Sequence, residues 1–219
     1  RRSSDLLLLK YVDHSSNAIS NGVNETVITL KDDKYPVTVK LHYVAYGKEN
    51  IIRAFSEISH EEKKPVILCK YASSMLHLNS SKYFLTEFSG DWAHEANVTE
   101  RELAFGKKVI DTKLGARANM FVSPFFQLAL DNPSQENAGE VLVGTIGWTG
   151  NFRFTFEVDN KNELRIISGI NPYDSEYSLP AKEVFRTPDF YFTYSTQGKG
   201  EASRNFHDWA RNHQVKNGN

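Results

Sequence analysis

The segment Phe88-Ser89-Gly90-Asp91-Trp92-Ala93-His94-Glu95-Ala96-Asn97-Val98-Thr99-Glu100-Arg101 holds the densest group of side chains that could engage a ligand. An alternating run ends at Phe88, a Ser-Gly pair interrupts it, and Trp92 follows with Asp91, His94 and Glu95 around it. Tryptophan offers a broad apolar face, and charged neighbours can fix a polyol beside it. A sugar ring presents the complement, apolar C–H faces and a rim of hydroxyls. One reading is therefore carbohydrate contact. The other is a tryptophan covering one end of a β-sandwich while its charged neighbours face water. Local sequence leaves both open.

Other chemistry is less well supported. The seven histidines (His14, His42, His60, His77, His94, His207 and His213) are scattered, and His207 and His213 do not share a helix face well. No metal site is expected, and no cofactor. The Gly-x-Ser-x-Gly pattern of a nucleophile elbow is absent. Cys69 sits within a strand pattern, where a small buried hydrophobe is the expectation. Gly144-Thr145-Ile146-Gly147-Trp148-Thr149-Gly150-Asn151 lacks the lysine and following helix of a phosphate cradle. It reads as a tight turn between strands with Trp148 on one rim. Asn171-Pro172-Tyr173-Asp174 reads as a turn capping the sheet rather than as a ligand loop. Glycoside hydrolysis needs two carboxyl groups at a set separation, and no pair of acids stands out. No catalytic residue is assigned.

The elements that must position Trp92 are strands. Val37, Val39, Leu41, Tyr43 and Ala45 line one face of a run, with Thr38, Lys40 and His42 on the other. Thr26, Ile28 and Leu30 alternate before it and enter the turn cluster Asp32-Asp33-Lys34-Tyr35-Pro36, which predicts a hairpin. Further strands are expected over 51–58, 66–78, 83–88, 98–105, 107–112, 125–130, 152–158, 164–170, 182–186 and 190–194. Val141 to Ile146 is apolar on both faces and should be central. The period then changes: Ala202, Phe206, Trp209 and His213 form one helical stripe, with Gly198 and Gly200 before it and Gly218 after. That stripe suits a helix packed on its own sandwich better than a partner site. The expected fold class is all-β, one large antiparallel two-sheet sandwich with a C-terminal helix, divided as residues 1–197 and 198–219.

Composition excludes several classes. The chain has 219 residues, with 26 basic and 27 acidic side chains nearly cancelling, so no nucleic-acid partner is expected. Its longest aliphatic run, Leu6 to Leu9, is too short to cross a bilayer, and no membrane partner is expected. No signal peptide is recognisable at Arg1-Arg2-Ser3-Ser4, and the chain opens like the middle of a longer protein. A soluble protein of the cytoplasm or a bacterial periplasm is expected, with the choice open. Three sequons, at Asn24, Asn79 and Asn97, would matter only in a eukaryotic secretory route.

An ordered series of short motifs carries a resemblance. Tyr11-Val12-Asp13-His14, Glu25-Thr26-Val27-Ile28-Thr29-Leu30, Ser89-Gly90-Asp91-Trp92-Ala93-His94-Glu95, Gly139-Glu140-Val141, Gly150-Asn151-Phe152, Gly169-Ile170-Asn171-Pro172 and Thr187-Pro188 resemble the N-terminal domain of glycoside hydrolase family 36, the α-galactosidases. Ser203-Arg204-Asn205-Phe206-His207-Asp208-Trp209 resembles the helix leading out of that domain. The resemblance implies a galactose-mutarotase-like supersandwich placed before a (β/α)8 barrel, which holds both catalytic aspartates of a retaining enzyme. It implies as partners the barrel of the parent chain, an α-galactoside such as raffinose or melibiose, and other copies in a homo-oligomer. It also implies that Trp92 and Glu95 face the substrate or the barrel mouth.

This chain departs from the family at two places: Asp91 stands where arginine is usual, and the loop from Gly115 reads Ala116-Arg117-Ala118-Asn119-Met120-Phe121. Besides an accessory domain of an α-galactosidase, the alternatives are a stand-alone carbohydrate-binding module gripping sugar through Trp92 or Trp148, and aldose mutarotation. The last needs a positioned acid and base, which sequence does not locate.

Overall fold

The computed structural model describes residues 7–216. In chain order the first strands are β1 (Leu9–Ser20), β2 (Val23–Asp32), β3 (Val37–Tyr46), β4 (Ile51–His60), β5 (Val66–Leu68), β6 (Ser74–Asn79), β7 (Tyr83–Asp91) and β8 (His94–Glu102). They continue as β9 (Gly106–Asp111), β10 (Val122–Leu130), β11 (Val141–Gly147), β12 (Phe152–Val158), β13 (Glu163–Ile170), β14 (Tyr177–Leu179), β15 (Val184–Arg186) and β16 (Asp189–Ser195). Helix α1 (Gly198–His213) follows. Ten strands make one sheet, ordered β1-β2-β3-β4-β16-β11-β10-β7-β8 with β15 beside β4. Strands β6-β13-β12-β9 make a four-stranded sheet, and β14-β5 a ribbon. All paired strands run antiparallel, as the period-two pattern predicts.

The core lies where the small sheet meets the middle of the large one. In β12, Phe152, Phe154 and Phe156 point inward and are buried while Arg153, Thr155 and Glu157 point out. Phe126 of β10 meets them from the large sheet, with ring centroids 5.2 Å from Phe154 and 4.9 Å from Phe156 in edge-on geometry. Strand β11 is central, between β16 and β10, as its two-faced apolarity predicts. Gly144 belongs to the interior of β11 and not to the turn after it. A Cβ there would lie 2.6 Å from Phe126 Cζ and 2.8 Å from Phe190 Cζ. The bare backbone lets the two rings close over it.

Several expectations need correction. The 66–78 run is two strands separated by irregular chain, and Cys69 lies in that gap, half-buried rather than buried. Its Sγ is 3.9 Å from the Ile67 carbonyl oxygen and from a Glu176 carboxylate oxygen. Strand β1 escaped the alternation argument because it is exposed on both faces, so no period marks it. The three-residue β14 is too short to show one. Strand β10 starts before Pro124, whose missing N–H is tolerated where the β10–β7 register slips between Val122 and Phe126. The 182–186 run shortens to β15 because Lys182 takes φ 65°.

Gly198 and Gly200 lie inside α1 rather than before it. Gly198 has φ 79°, and a Cβ on it would sit 2.6 Å from the Gln135 carbonyl oxygen. The close approach caps the helix: Gly198, Lys199 and Gly200 N–H groups donate to the carbonyls of Gly139, Gln135 and Glu136 at 2.9, 2.9 and 3.0 Å. The anticipated stripe then packs on the large sheet, with Ala202 against Val141 and Val143, and Trp209 among Val23, Val44, Tyr46 and Ile51. The far end is clamped by Glu49, which accepts from Asn212 Nδ2 at 2.8 Å and lies 3.4 Å from His213 Nε2. The regular helix ends at His213; Gly218, expected after it, lies outside the described residues.

Burial pushes the Glu49 carboxyl up, but its bonds from Asn212 and His213 outweigh this and hold its pKa below the ordinary glutamate value. A carboxyl depressed in the folded state stabilises it above the unfolded pKa, and that contribution fades as pH falls through the folded value. Glu49→Gln should therefore lower the unfolding temperature at pH 7, and the gap from wild type should narrow as pH drops below about 4. Gly144→Ala should destabilise the chain by about 1–3 kcal/mol through overpacking, read by chemical denaturation, because both facing rings are fully enclosed. An unchanged midpoint would show that Phe126 and Phe190 can move aside.

Candidate functional site: an aromatic loop rim

Strands β7 and β8 form a hairpin in which Asp91 pairs with His94, leaving Trp92 and Ala93 as a two-residue tip. Ala93 adopts φ 62°, and the interruption at Ser89-Gly90 is a register shift inside β7 rather than the turn itself. The acids flanking Trp92 are occupied locally. Asp91 Oδ1 accepts from the Trp92 N–H at 2.7 Å, and Glu95 Oε1 accepts from the Ala93 N–H at 3.2 Å. Asn97 Nδ2 donates to the His94 carbonyl at 2.8 Å. The polar neighbours thus hold the tip while the indole projects: Trp92 is 89% exposed and covers no part of its own sandwich. About 150–250 Å² of aromatic surface is left to water.

Register places further loops at the same end of the sandwich. Ser89 of β7 pairs with Val122, the first residue of β10, and Gly147 at the end of β11 pairs with Asp189, the first residue of β16. The loop between β9 and β10 and the β11–β12 turn therefore join the β7–β8 tip. Hydrogen bonds tie them together. Gly90 N–H donates to the Phe121 carbonyl at 3.0 Å, and Gly115 N–H to Asn151 Oδ1 at 2.7 Å. Asn171 is buried and anchors the fourth loop, donating through Nδ2 to the Thr112 carbonyl at 2.9 Å and accepting from Tyr173 N–H at 3.1 Å. Its segment is the turn that sequence favours. On these loops Leu114, Met120, Phe121, Trp148 and Tyr173 are exposed at the same end as Trp92. Lys113 Nζ lies 4.6 Å from the Tyr173 ring centroid. A Cβ at Gly150 would lie 2.8 Å from Trp148 Nε1, so glycine admits the indole against the turn.

The sequence singles out Trp92, Glu95 and Trp148, which the structure places at this end of the sandwich, and passes over Leu114, Met120, Phe121 and Tyr173. The available signal was apolar side chains inside otherwise loop-like stretches. It also found no defensible histidine–glutamate pair, and the structure supplies one. His42 Nδ1 lies 2.9 Å from Glu25 and Nε2 3.4 Å from Glu57, on the helix-bearing face of the large sheet. The imidazole stacks on Phe55 with centroids 4.4 Å apart. With both nitrogens facing carboxylates and one ring face covered, His42 braces the sheet and is not presented to a substrate.

Nearby, Asp189 lies 2.5 Å from Arg186 and 3.8 Å from Arg53, and accepts from Tyr191 Oη at 3.1 Å. Burial, then the Asp189 charge, pushes Tyr191 up to about 12. Tyr191 stays a donor throughout the physiological range. Among the described residues no group of three His, Cys, Asp or Glu could hold a metal ion, and no helix is long and apolar enough to cross a membrane.

Fold and rim together define a large two-layer β-sandwich domain that presents aromatic surface from loops at one end. The chain matches the family model for the glycosyl hydrolase family 36 N-terminal domain over residues 3–180, and it belongs to that family. It is 30% identical over 202 residues to α-galactosidase AgaA of Geobacillus stearothermophilus, a match taking in 92% of this chain and 27% of the relative. Alpha-galactosidase 2 of Hypocrea jecorina is 28% identical over 194 residues, 89% of this chain and 26% of that protein. The crystal structure of AgaA superposes with a TM-score of 0.87 at 27% identity, over 94% of this chain and 30% of that one. An AgaA variant in complex with raffinose gives 0.89 at 26% identity, over 96% of this chain and 31% of that one. The chain thus spans about a quarter of the length of the curated relatives it matches.

Because Trp92 packs on nothing, Trp92→Ala should shift the unfolding free energy of the chain by less than about 0.5 kcal/mol. A loss well above that in a denaturation curve would return Trp92 to a purely architectural role.

Proposed function

We propose that this chain is the non-catalytic N-terminal accessory domain of a retaining α-galactosidase. The parent would hydrolyse terminal α-galactosides such as raffinose or melibiose on a barrel that lies elsewhere in the polypeptide. The observation that carries the reading is coverage: the match to AgaA takes in nearly all of this chain and only 27% of the relative, whose name is that of an α-galactosidase. In this reading residues 1–197 form the sandwich unit and 198–219 lead towards the barrel. Trp92 is the residue we place at the substrate entrance, with Glu95 fixing its hairpin tip. Support comes from the bare indole on a tip held by its own acids. The parent also associates into a homo-oligomer on this proposal. Strand β1 favours that step, because its outer edge is unpaired among the described residues and Tyr11, Val12 and Ile19 stand exposed along it.

A second reading, a stand-alone carbohydrate-binding module, is favoured by one specific observation: Trp92 and Trp148 project from loops at the same end. Titration calorimetry with galactose and raffinose separates the two. Saturable binding by this chain that disappears in Trp92→Ala would establish the module. The accessory reading expects no saturation and no turnover of a chromogenic α-galactoside by the purified chain; turnover that copurifies with it overturns the non-catalytic assignment. In the complete enzyme, Trp92→Ala should lower kcat/KM for raffinose about tenfold, the effect of losing roughly 1.4 kcal/mol of aromatic contact.

A further inference from the structure

The two sheets differ in width, ten strands against four, and the excess falls at one side of the large sheet. Strands β1 to β3 run past the edge strand β6. Leu30, Val39, Leu41 and Tyr43 lie on the sheet face that looks towards the small sheet, and the β5–β14 ribbon, Leu7, Leu9 and Met75 of the edge strand line the space beside them. The result is an open groove of about 1050 Å³ with Ile58 and Leu179 completing its apolar walls. That volume is at the upper end of small-molecule sites, which run about 300–1,000 Å³.

The groove has a sign. Arg153, Lys70 and Lys107 line it against one carboxylate, Glu62. Lys107 is taken by Glu157 at 2.8 Å, whereas Arg153 and Lys70 make no ion pair with any described residue. Arg153 Nε is buried without a hydrogen-bond partner. Three further lining side chains repeat that condition: Ser73, Ser74 and Ser168 are 3%, 6% and 1% exposed, and their hydroxyls have no partner among the described residues. Buried polar atoms left unpaired are few in native structures, and each calls for an explanation. Apolar walls with a spare guanidinium and idle hydroxyls suit one ligand chemistry, an apolar body carrying a single anionic head.

We propose that this groove binds a free long-chain carboxylate, its hydrocarbon chain along Leu30, Val39, Leu41 and Tyr43 and its head group paired with Arg153. The inference is independent of where the catalytic centre of the parent lies. Calorimetric titration of the delipidated 219-residue chain with dodecanoate, below its micellar concentration, tests it directly. The expected result is one saturable site, at least tenfold weaker for dodecanol and absent for acetate, which separates the charge from the chain. Arg153→Gln should weaken dodecanoate at least tenfold while leaving the unfolding midpoint in place, since Arg153 makes no side-chain ion pair or hydrogen bond with any described residue. The ligand series on the unaltered chain stands even if that variant folds poorly. Dodecanol binding as tightly as dodecanoate, undiminished binding in a folded Arg153→Gln variant, or no saturation would each overturn the proposal. So would a dimer, followed by light scattering, whose formation abolishes dodecanoate uptake, because a second copy would then hold the groove.

Discussion

Closing a four-stranded sheet over the middle of a ten-stranded one is the constraint from which the rest of this molecule follows. The closure is made by aromatic rings. Phe126 reaches from the large sheet to Phe154 and Phe156 on the small one, and β11 carries glycine at position 144 so that Phe126 and Phe190 can occupy the space beside it. Fully enclosed rings in edge-on contact leave little room to slide, which fixes the offset between layers as well as their spacing.

That offset leaves two stretches of the large sheet without a facing sheet, and they are treated differently. On the outer face, α1 lies across the sheet with its first turn seated on loop carbonyls and its last turn held by Glu49. Beyond the helix, polar groups pair among themselves: Glu25, His42 and Glu57 on one side, Arg53, Asp189 and Arg186 on the other, with Phe55 between. On the inner face, the wing of β1 to β3 faces a short ribbon and the edge of the small sheet and keeps an open trough among the described residues. One face is covered by a helix and a charge network, and the other stays available.

The loops gather at one end by the same logic. Strands of matched register deliver the β7–β8 tip, the β9–β10 loop and the β11–β12 turn there, and hydrogen bonds from backbone N–H groups tie them into a single rim. A rigid sandwich presenting variable loops at its end is a common way to separate stability from recognition. Asp91 spends its carboxylate on the Trp92 amide, so the rim here has an acid holding its tip.

Local sequence by itself determined the fold class, the inward and outward faces of β3 and β12, the central place of β11 and the stripe of α1, because burial imposes a period of two or about 3.6 on any strand or helix that packs. It failed where burial imposes none. Strand β1 touches water on both sides, and β14 is three residues long. It also drew attention to Trp92, since a tryptophan among acids beside a glycine is unusual in composition alone. Only the tertiary structure decided that Gly144 makes room for two rings, that Leu114, Met120, Phe121 and Tyr173 join Trp92 on one rim, and that His42 stands between two glutamates. Those relations depend on which strands become neighbours across scores of residues, and strand order is set by the packing of the whole chain rather than by any local pattern.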